Sequence, residues 1–231
     1  MNNNCYRSNL YKKLLLIIPF IALSAGSAFS QFSVGTDIYN RYVWRGTDFG
    51  NSPSIQPSLT YSSGGFEAGF WGAFTTTGSP GGEELDFYGS YGIDTGSGTL
   101  GLTLTDYFFP GSSQGQYFKW EDNHVLEPTI SFTGPDETPL YISASINAAG
   151  ADPDNSVYLE TGYSFSNTSI FLGMVPSSTA YYGTQKAGVI NTGISTTKEI
   201  KITDDFSLPV SGSFILNPYN EDVYLLVGVT L

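Results

Sequence analysis

Eight charged side chains stand out by position: Asp37, Arg41, Arg45, Glu67, Glu84, Asp86, Glu127 and Glu160. Each falls on the polar beat of a segment in which polar and apolar residues alternate. Each is therefore expected to leave its strand on the face opposite the oily side chains. Carboxylates ringing a watery passage favour cations, and arginines opposite acids create a transverse field at a constriction. The expectation is that Arg41 and Arg45 face Glu67, Glu84 and Asp86 across or along such a wall. A structural salt-bridge network that plugs the passage is the competing reading of the same charges.

Other chemistry is sparse. His124 is the single histidine, and its parity matches Leu126 and Ile130 on the oily face. A Ser-His-Asp triad or a histidine-based zinc site needs its histidine in a cleft or lumen. No enzymatic activity, cofactor or metal is expected. Asp152 with Asp154, or Asp204 with Asp205, could hold calcium in a loop, but solvated loop acids explain them more simply. Gly81-Gly82 and Gly96-Ser97-Gly98 are turn chemistry, because no helix follows them to bind phosphate.

The elements that must carry these residues are strands. From Phe32 onward, twelve segments alternate with period two. The first puts Phe32, Val34, Thr36, Ile38, Tyr42 and Trp44 on one face, with Asp37, Arg41 and Arg45 on the other. The third and fourth set Phe66, Ala68, Phe70 and Phe74 against Glu67, and Leu85, Phe87 and Tyr91 against Glu84 and Asp86. The sixth and eighth set Leu126, Ile130 and Phe132 against Glu127, and Val157, Leu159 and Tyr163 against Glu160. The ninth, Ile170 to Val175, is short, and the tenth, Val189 to Thr196, has the weakest pattern.

Connections alternate in length. Short ones are Ser62–Gly65, Asp94–Gly98, Gly134–Glu137 and Ser166–Thr168. Longer ones are Gly46–Pro53, Thr75–Glu83, Phe108–Asn123, Ala149–Asn155 and Pro176–Lys186. Thr197–Asp205, on the short side, breaks the rule mildly. One plain end and one elaborated end is the habit of outer-membrane barrels. Twelve strands would enclose an interior too wide for side chains to fill as a dry core. That favours lipid outside and water inside over a soluble barrel. A two-sheet sandwich needs no such lumen, but it would leave an exported protein with very few surface lysines.

Composition agrees. Among 231 residues, only 13% are charged and 15% are aromatic, with 27 glycines. Nine basic residues are too few for a nucleic-acid binder. Residues 1–30 read as a cleaved secretory leader. Arg7, Lys12 and Lys13 precede the apolar run Leu14–Leu23, and Ala28-Phe29-Ser30 closes it. Cys5, the single cysteine, lies within that leader, so the mature chain has no disulfide framework. Losing three basic residues and no acids takes the net charge from −12 to −15.

Several stretches carry a family resemblance: Tyr42-Val43-Trp44-Arg45-Gly46, Ser54-Ile55-Gln56-Pro57, Gly65-Phe66-Glu67-Ala68-Gly69-Phe70-Trp71, Glu84-Leu85-Asp86-Phe87-Tyr88-Gly89 and Asp106-Tyr107-Phe108-Phe109-Pro110-Gly111. Over about Ser33 to Gly111 the chain resembles the TorF-like porins, the Gcw_chp family. Asn155-Ser156-Val157-Tyr158-Leu159-Glu160 is the best later echo. The resemblance implies an exported outer-membrane barrel of Gram-negative bacteria that forms a pore.

The reading is an all-β, closed antiparallel up-and-down transmembrane β-barrel of about 12 strands, spanning residues 31–231. Its expected activity is passive passage of small solutes with mild cation preference. Expected partners are the outer-membrane lipid bilayer, the barrel-insertion machinery and small solutes. A non-conducting barrel that presents surface loops for binding or adhesion is the alternative, with Phe108–Asn123 folding over or out of the mouth. An outer-membrane hydrolase, the third reading, requires a serine hydrogen-bonded to His124.

Overall fold

In a computed structural model, the described residues are 31–77, 82–110 and 117–231. The expected leader, residues 1–30, lies outside them, as does Gly81. In chain order the strands are β1 (Phe32–Tyr39), β2 (Tyr42–Trp44), β3 (Thr47–Phe49), β4 (Ser54–Ser63), β5 (Phe66–Thr75), β6 (Glu84–Asp94), β7 (Thr99–Phe108), β8 (His124–Thr133), β9 (Leu140–Ile146), β10 (Ala149–Gly150), β11 (Val157–Phe165), β12 (Thr168–Val175), β13 (Gly188–Lys201), β14 (Ser207–Asn217) and β15 (Asp222–Thr230). A single-turn helix, α1 (Trp120–Asn123), precedes β8.

Twelve of these strands close one sheet on itself. Each pairs with its neighbours along the chain, and the ring is completed where β1 meets β15, with Asp37 opposite Thr230. Thr36 and Leu231 exchange backbone hydrogen bonds of 3.1 and 2.9 Å at that seam. Closure leaves no unpaired ladder edge on the first and last strands. The hairpin β2–β3 is a separate two-stranded sheet, and β10 adds two residues to β8.

The polarity of the wall is inverted relative to a water-soluble protein. Phe70 on β5 is 49% exposed, whereas Glu84 on the neighbouring β6 is 3% exposed. The same contrast recurs around the ring. Leu102, Leu104, Ile130, Ile142, Ile170 and Leu225 point outward and are exposed. Gln56, Asp86, Glu127, Ser143, Ser145 and Asn191 point inward and are buried. The period of two in each strand produces this two-sidedness directly.

Connections at one end are tight. Gly64 and Gly65 both take positive φ (58° and 85°) between β4 and β5, the backbone of a two-residue turn whose twist matches its strands. Thr197–Lys201, expected as connection, is instead strand. Lys198, Glu199, Ile200 and Lys201 pair with Val210, Pro209, Leu208 and Ser207, so the weakest expected strand is the longest observed. Its charges hid the alternation, because the hairpin tip is exposed on both faces. At the opposite end the β14–β15 connection, residues 218–221, is the one short link among longer ones.

The expected first strand, running to Trp44, breaks after Tyr39. The Asn40 side chain donates to Leu225 O (3.0 Å) and accepts from Val227 N (2.9 Å) on β15. Together with the backbone bond from Asn40 N to Val227 O (3.0 Å), they end the ladder here, and the chain leaves the wall. Tyr42 and Trp44 are therefore not on the oily face: Tyr42 is 6% exposed and its ring lies 5.5 Å from Trp71.

Candidate functional site

The hairpin β2–β3 folds into the lumen from the long-loop end and organises everything there. Its two-residue turn is Arg45-Gly46, with φ of 47° and 75°. Glycine tolerates that backbone; arginine does so at a cost of about 1–3 kcal/mol. A Cβ on Gly46 would lie 1.9 Å from Ile190 O, so only glycine permits the close approach to β13. Asn217 Nδ2 donates to Gly46 O at 3.1 Å and clamps the tip from β14.

The arginine side chain repays its strained backbone with a full set of partners. Its Nη1 donates to Glu127 Oε2 at 2.6 Å and to Tyr182 Oη at 2.5 Å. Its Nη2 donates to Glu127 Oε1 at 2.9 Å and to Ser145 Oγ at 3.4 Å. The two-pronged contact with Glu127 uses the planar fork of guanidinium. Its Cζ lies 4.4 Å from the Trp44 ring centroid and 4.2 Å from that of Tyr158, within reach for cation–π attraction. Tyr107 Oη also donates to Glu127 Oε1 at 2.9 Å. Burial pushes the Tyr182 phenol up to about 12, although Arg45 draws it down. It therefore stays neutral at physiological pH.

Neighbouring acids are engaged in the same region. Tyr42 Oη donates to a Glu84 carboxylate oxygen at 2.8 Å. Asp86 follows two residues along β6 on the same face, and its Oδ1 is buried with no hydrogen-bond partner among the described residues. Tyr158 Oη donates to Glu160 at 2.5 Å, and Asn191 Nδ2 donates to both Tyr158 Oη (3.1 Å) and Glu160 (3.3 Å). Arg41 pairs with Asp48 Oδ2 at 2.5 Å within its own segment. It lines a cavity of about 290 Å³ together with Asp37, Gln56 and Ser213.

The eight charged residues are thus distributed unevenly. Arg45, Glu84, Asp86, Glu127 and Glu160 gather around the hairpin. The partner of Arg45 is Glu127, not Glu67, Glu84 or Asp86, because the hairpin carries it off the wall that strand parity assumed. Arg41 is likewise on the inserted segment and meets Asp48. Glu67 sits at the short-turn end of β5, where Ser62 Oγ donates to it at 3.2 Å. Asp37 accepts from Thr230 Oγ1 at 2.6 Å at the seam.

The aromatic members were not in the charge pattern: Trp44, Tyr107, Tyr158 and Tyr182. One signal was available. Arg45-Gly46 is flanked by Tyr42-Val43-Trp44 and Thr47-Asp48-Phe49, two short alternating runs around a glycine-bearing pair, which is hairpin spacing. Arginine is not a residue that such turns favour, so the signal was muted.

His124 belongs elsewhere. It lies on the outward parity, fully buried, beneath the segment Tyr117–Asn123. Its Nδ1 is 2.9 Å from Asp106 Oδ1 and its Nε2 is 2.6 Å from Tyr117 O. Its ring stacks between Trp120 (4.4 Å) and Phe108 (4.8 Å). Both ring nitrogens face these oxygens rather than the serine that a hydrolase would need. Asp152 closes the loop before β11. It accepts from Asn147 Nδ2 (2.7 Å), Ser156 N (2.9 Å) and Asp154 N (3.0 Å). Burial pushes its carboxyl up, but these bonds outweigh burial and hold it below its ordinary value. Asp204 pairs with Lys201 at 2.7 Å.

The family model described as "Bacterial protein of unknown function (Gcw_chp)" matches residues 24–200. The chain belongs to the Gcw_chp family. The match extends well past Gly111, through the Arg45 partners Glu127, Tyr158 and Tyr182, and stops within β13. No curated protein matches the chain. For this Gcw_chp member the fold and the inserted hairpin are therefore the basis for function.

Proposed function

We propose that the barrel spans the bacterial outer membrane as a porin-like channel for small solutes, with the Tyr42–Phe49 hairpin as its closure. The observation that carries this reading is the inverted wall: exposed Phe70, Leu102 and Ile130 outside, buried Glu84, Asp86 and Glu127 inside. Lipid accepts the first set, and water or an inserted polar segment accepts the second. A bilayer cannot hydrogen-bond to a strand edge, so a spanning sheet has to close, as this one does. Export through the leader of residues 1–30, insertion by the cell's barrel-assembly machinery and the absence of enzymatic activity are parts of the same proposal.

Cation preference follows from where the charges sit. Glu84, Asp86, Glu127 and Glu160 project from the wall, whereas Arg41 and Arg45 ride on the inserted segment. Displacing that segment leaves an acid-lined passage. Planar-bilayer recording of the purified barrel tests the proposal. Wild-type protein should open rarely, and Arg45→Ala should open often and select cations. Silence from a folded Arg45→Ala barrel overturns the channel.

The tight seat of Gly46 against Ile190 O favours a second reading, a permanently filled barrel that displays its loops for binding or adhesion. That reading requires silence from both proteins.

A further inference from the structure

The surroundings of Arg45 form a receptor for a planar cation, and most of that receptor does not belong to the hairpin. Glu127 comes from β8, Ser145 from β9, Tyr158 from β11 and Tyr182 from the β12–β13 connection. Trp44 alone travels with Arg45. When the hairpin leaves, a carboxylate, a phenol, a hydroxyl and an aromatic face stay together on the wall.

Two more observations point to a donor-rich guest. Among the described residues, Asp86 Oδ1 and Asn191 Oδ1 are buried acceptor atoms with no hydrogen-bond partner, on residues only 8% and 7% exposed. Buried acceptors of this kind normally find a donor. Asn191 is joined to the cage through its bond to Tyr158 Oη. The backbone at Arg45 adds the second observation. The turn holds a non-glycine residue in the left-handed region, and it is the side chain, not the turn, that gains from arginine at this position.

We propose that this cage binds the guanidinium group of small organic cations, and that Arg45 occupies it as a built-in stand-in while the channel is closed. The slot favours guanidinium over ammonium for a geometric reason. The Tyr158 ring covers a face of a flat cation while the Glu127 carboxylate takes two parallel N–H bonds at its edge. A guanidinium-bearing solute therefore competes with Arg45, releases the hairpin and meets the acidic wall. The assignment names the solute class of the channel proposed above and rests on that reading for its route into the lumen.

The experiment uses the whole barrel in detergent micelles, with methylguanidinium as the probe and sodium at equal ionic strength as the control. In Arg45→Ala, millimolar methylguanidinium should raise Tm by about 2–4 °C above sodium. Adding Glu127→Gln to that variant should abolish the rise. In wild-type protein, the probe should speed hydrogen exchange of the Trp44–Thr47 amides several-fold, while tetramethylammonium should not. The wild-type measurement stands even if Arg45→Ala does not refold. Equal exchange with probe and control, or a variant whose Tm ignores methylguanidinium, overturns the cage. Neither readout uses conductance. A barrel that binds the probe but never conducts refutes the channel alone, and one that conducts but ignores the probe refutes the cage alone.

Discussion

Two aromatic segments at the long-loop end leave the wall in opposite directions. Tyr42–Phe49 turns inward and Tyr117–Asn123 turns outward, yet both carry rings beside a basic residue. Inside, Arg45 reaches Glu127 and two ring faces. Outside, Phe118 is 96% exposed and Lys119 is exposed, and the segment is held through His124, by Asp106, Tyr117 O and stacking. Aromatic content does not decide where a loop goes. A segment enters the lumen when its charge finds a fixed opposite charge there, because an unpaired buried ion costs far more than the rings gain. The outer segment has no such need: its rings meet Phe87 and Phe108 on the oily wall, and its lysine stays in solvent.

Glu127→Ala strands the Arg45 guanidinium beside only hydroxyls and rings, and should cost about 3–5 kcal/mol in thermal unfolding in detergent. A loss below 1 kcal/mol would mean that the hairpin does not depend on this ion pair. Gly46→Ala places a methyl against Ile190 O in a backbone that resists it. It should unseat the hairpin at a cost of about 1–3 kcal/mol, read as a red shift of Trp44 fluorescence. An unshifted spectrum contradicts the tight seat.

The outer segment should yield a smaller and separate effect. His124→Ala removes contacts to Asp106 and Tyr117 and should cost about 1–3 kcal/mol. It should also make the Lys119–Trp120 bond cleavable by trypsin while leaving single-channel behaviour unaltered. A change in conductance would couple the two segments and erase their distinction. Asp152 gives a pH test. Its carboxyl is held below the ordinary value, so its contribution is present at neutral pH and is lost as pH falls through the lowered folded value. Order in the 147–156 loop, followed by amide exchange, should survive acidification to about pH 4. Smallest of all, Phe118→Ala should change the detergent Tm by less than about 0.5 kcal/mol in equivalent stability, since the ring touches little beyond Tyr117.

Much of the barrel was legible in sequence because alternation is local. Phe66 and Phe70 against Glu67, or Leu85 and Phe87 against Glu84 and Asp86, reveal a two-faced strand without knowledge of its neighbours. The β13 extension was not legible, since Lys198, Glu199 and Lys201 stand in an exposed hairpin where neither face is oily. The break after Tyr39 was not legible either. It depends on Asn40 bonding to Leu225 and Val227, residues far along the chain that reach it through ring closure. The pairing of Arg45 with Glu127 spans the lumen from a hairpin that strand parity had assigned to the wall.

What the amino-acid order determined by itself is which side chains share a face, because consecutive residues in an extended chain point to opposite sides whatever surrounds them. Which face is wrapped inward, how the ring closes and which carboxylate receives the lumen arginine were decided by the tertiary structure. Those outcomes depend on contacts between residues distant in sequence, where desolvation and charge pairing, rather than local periodicity, set the energy.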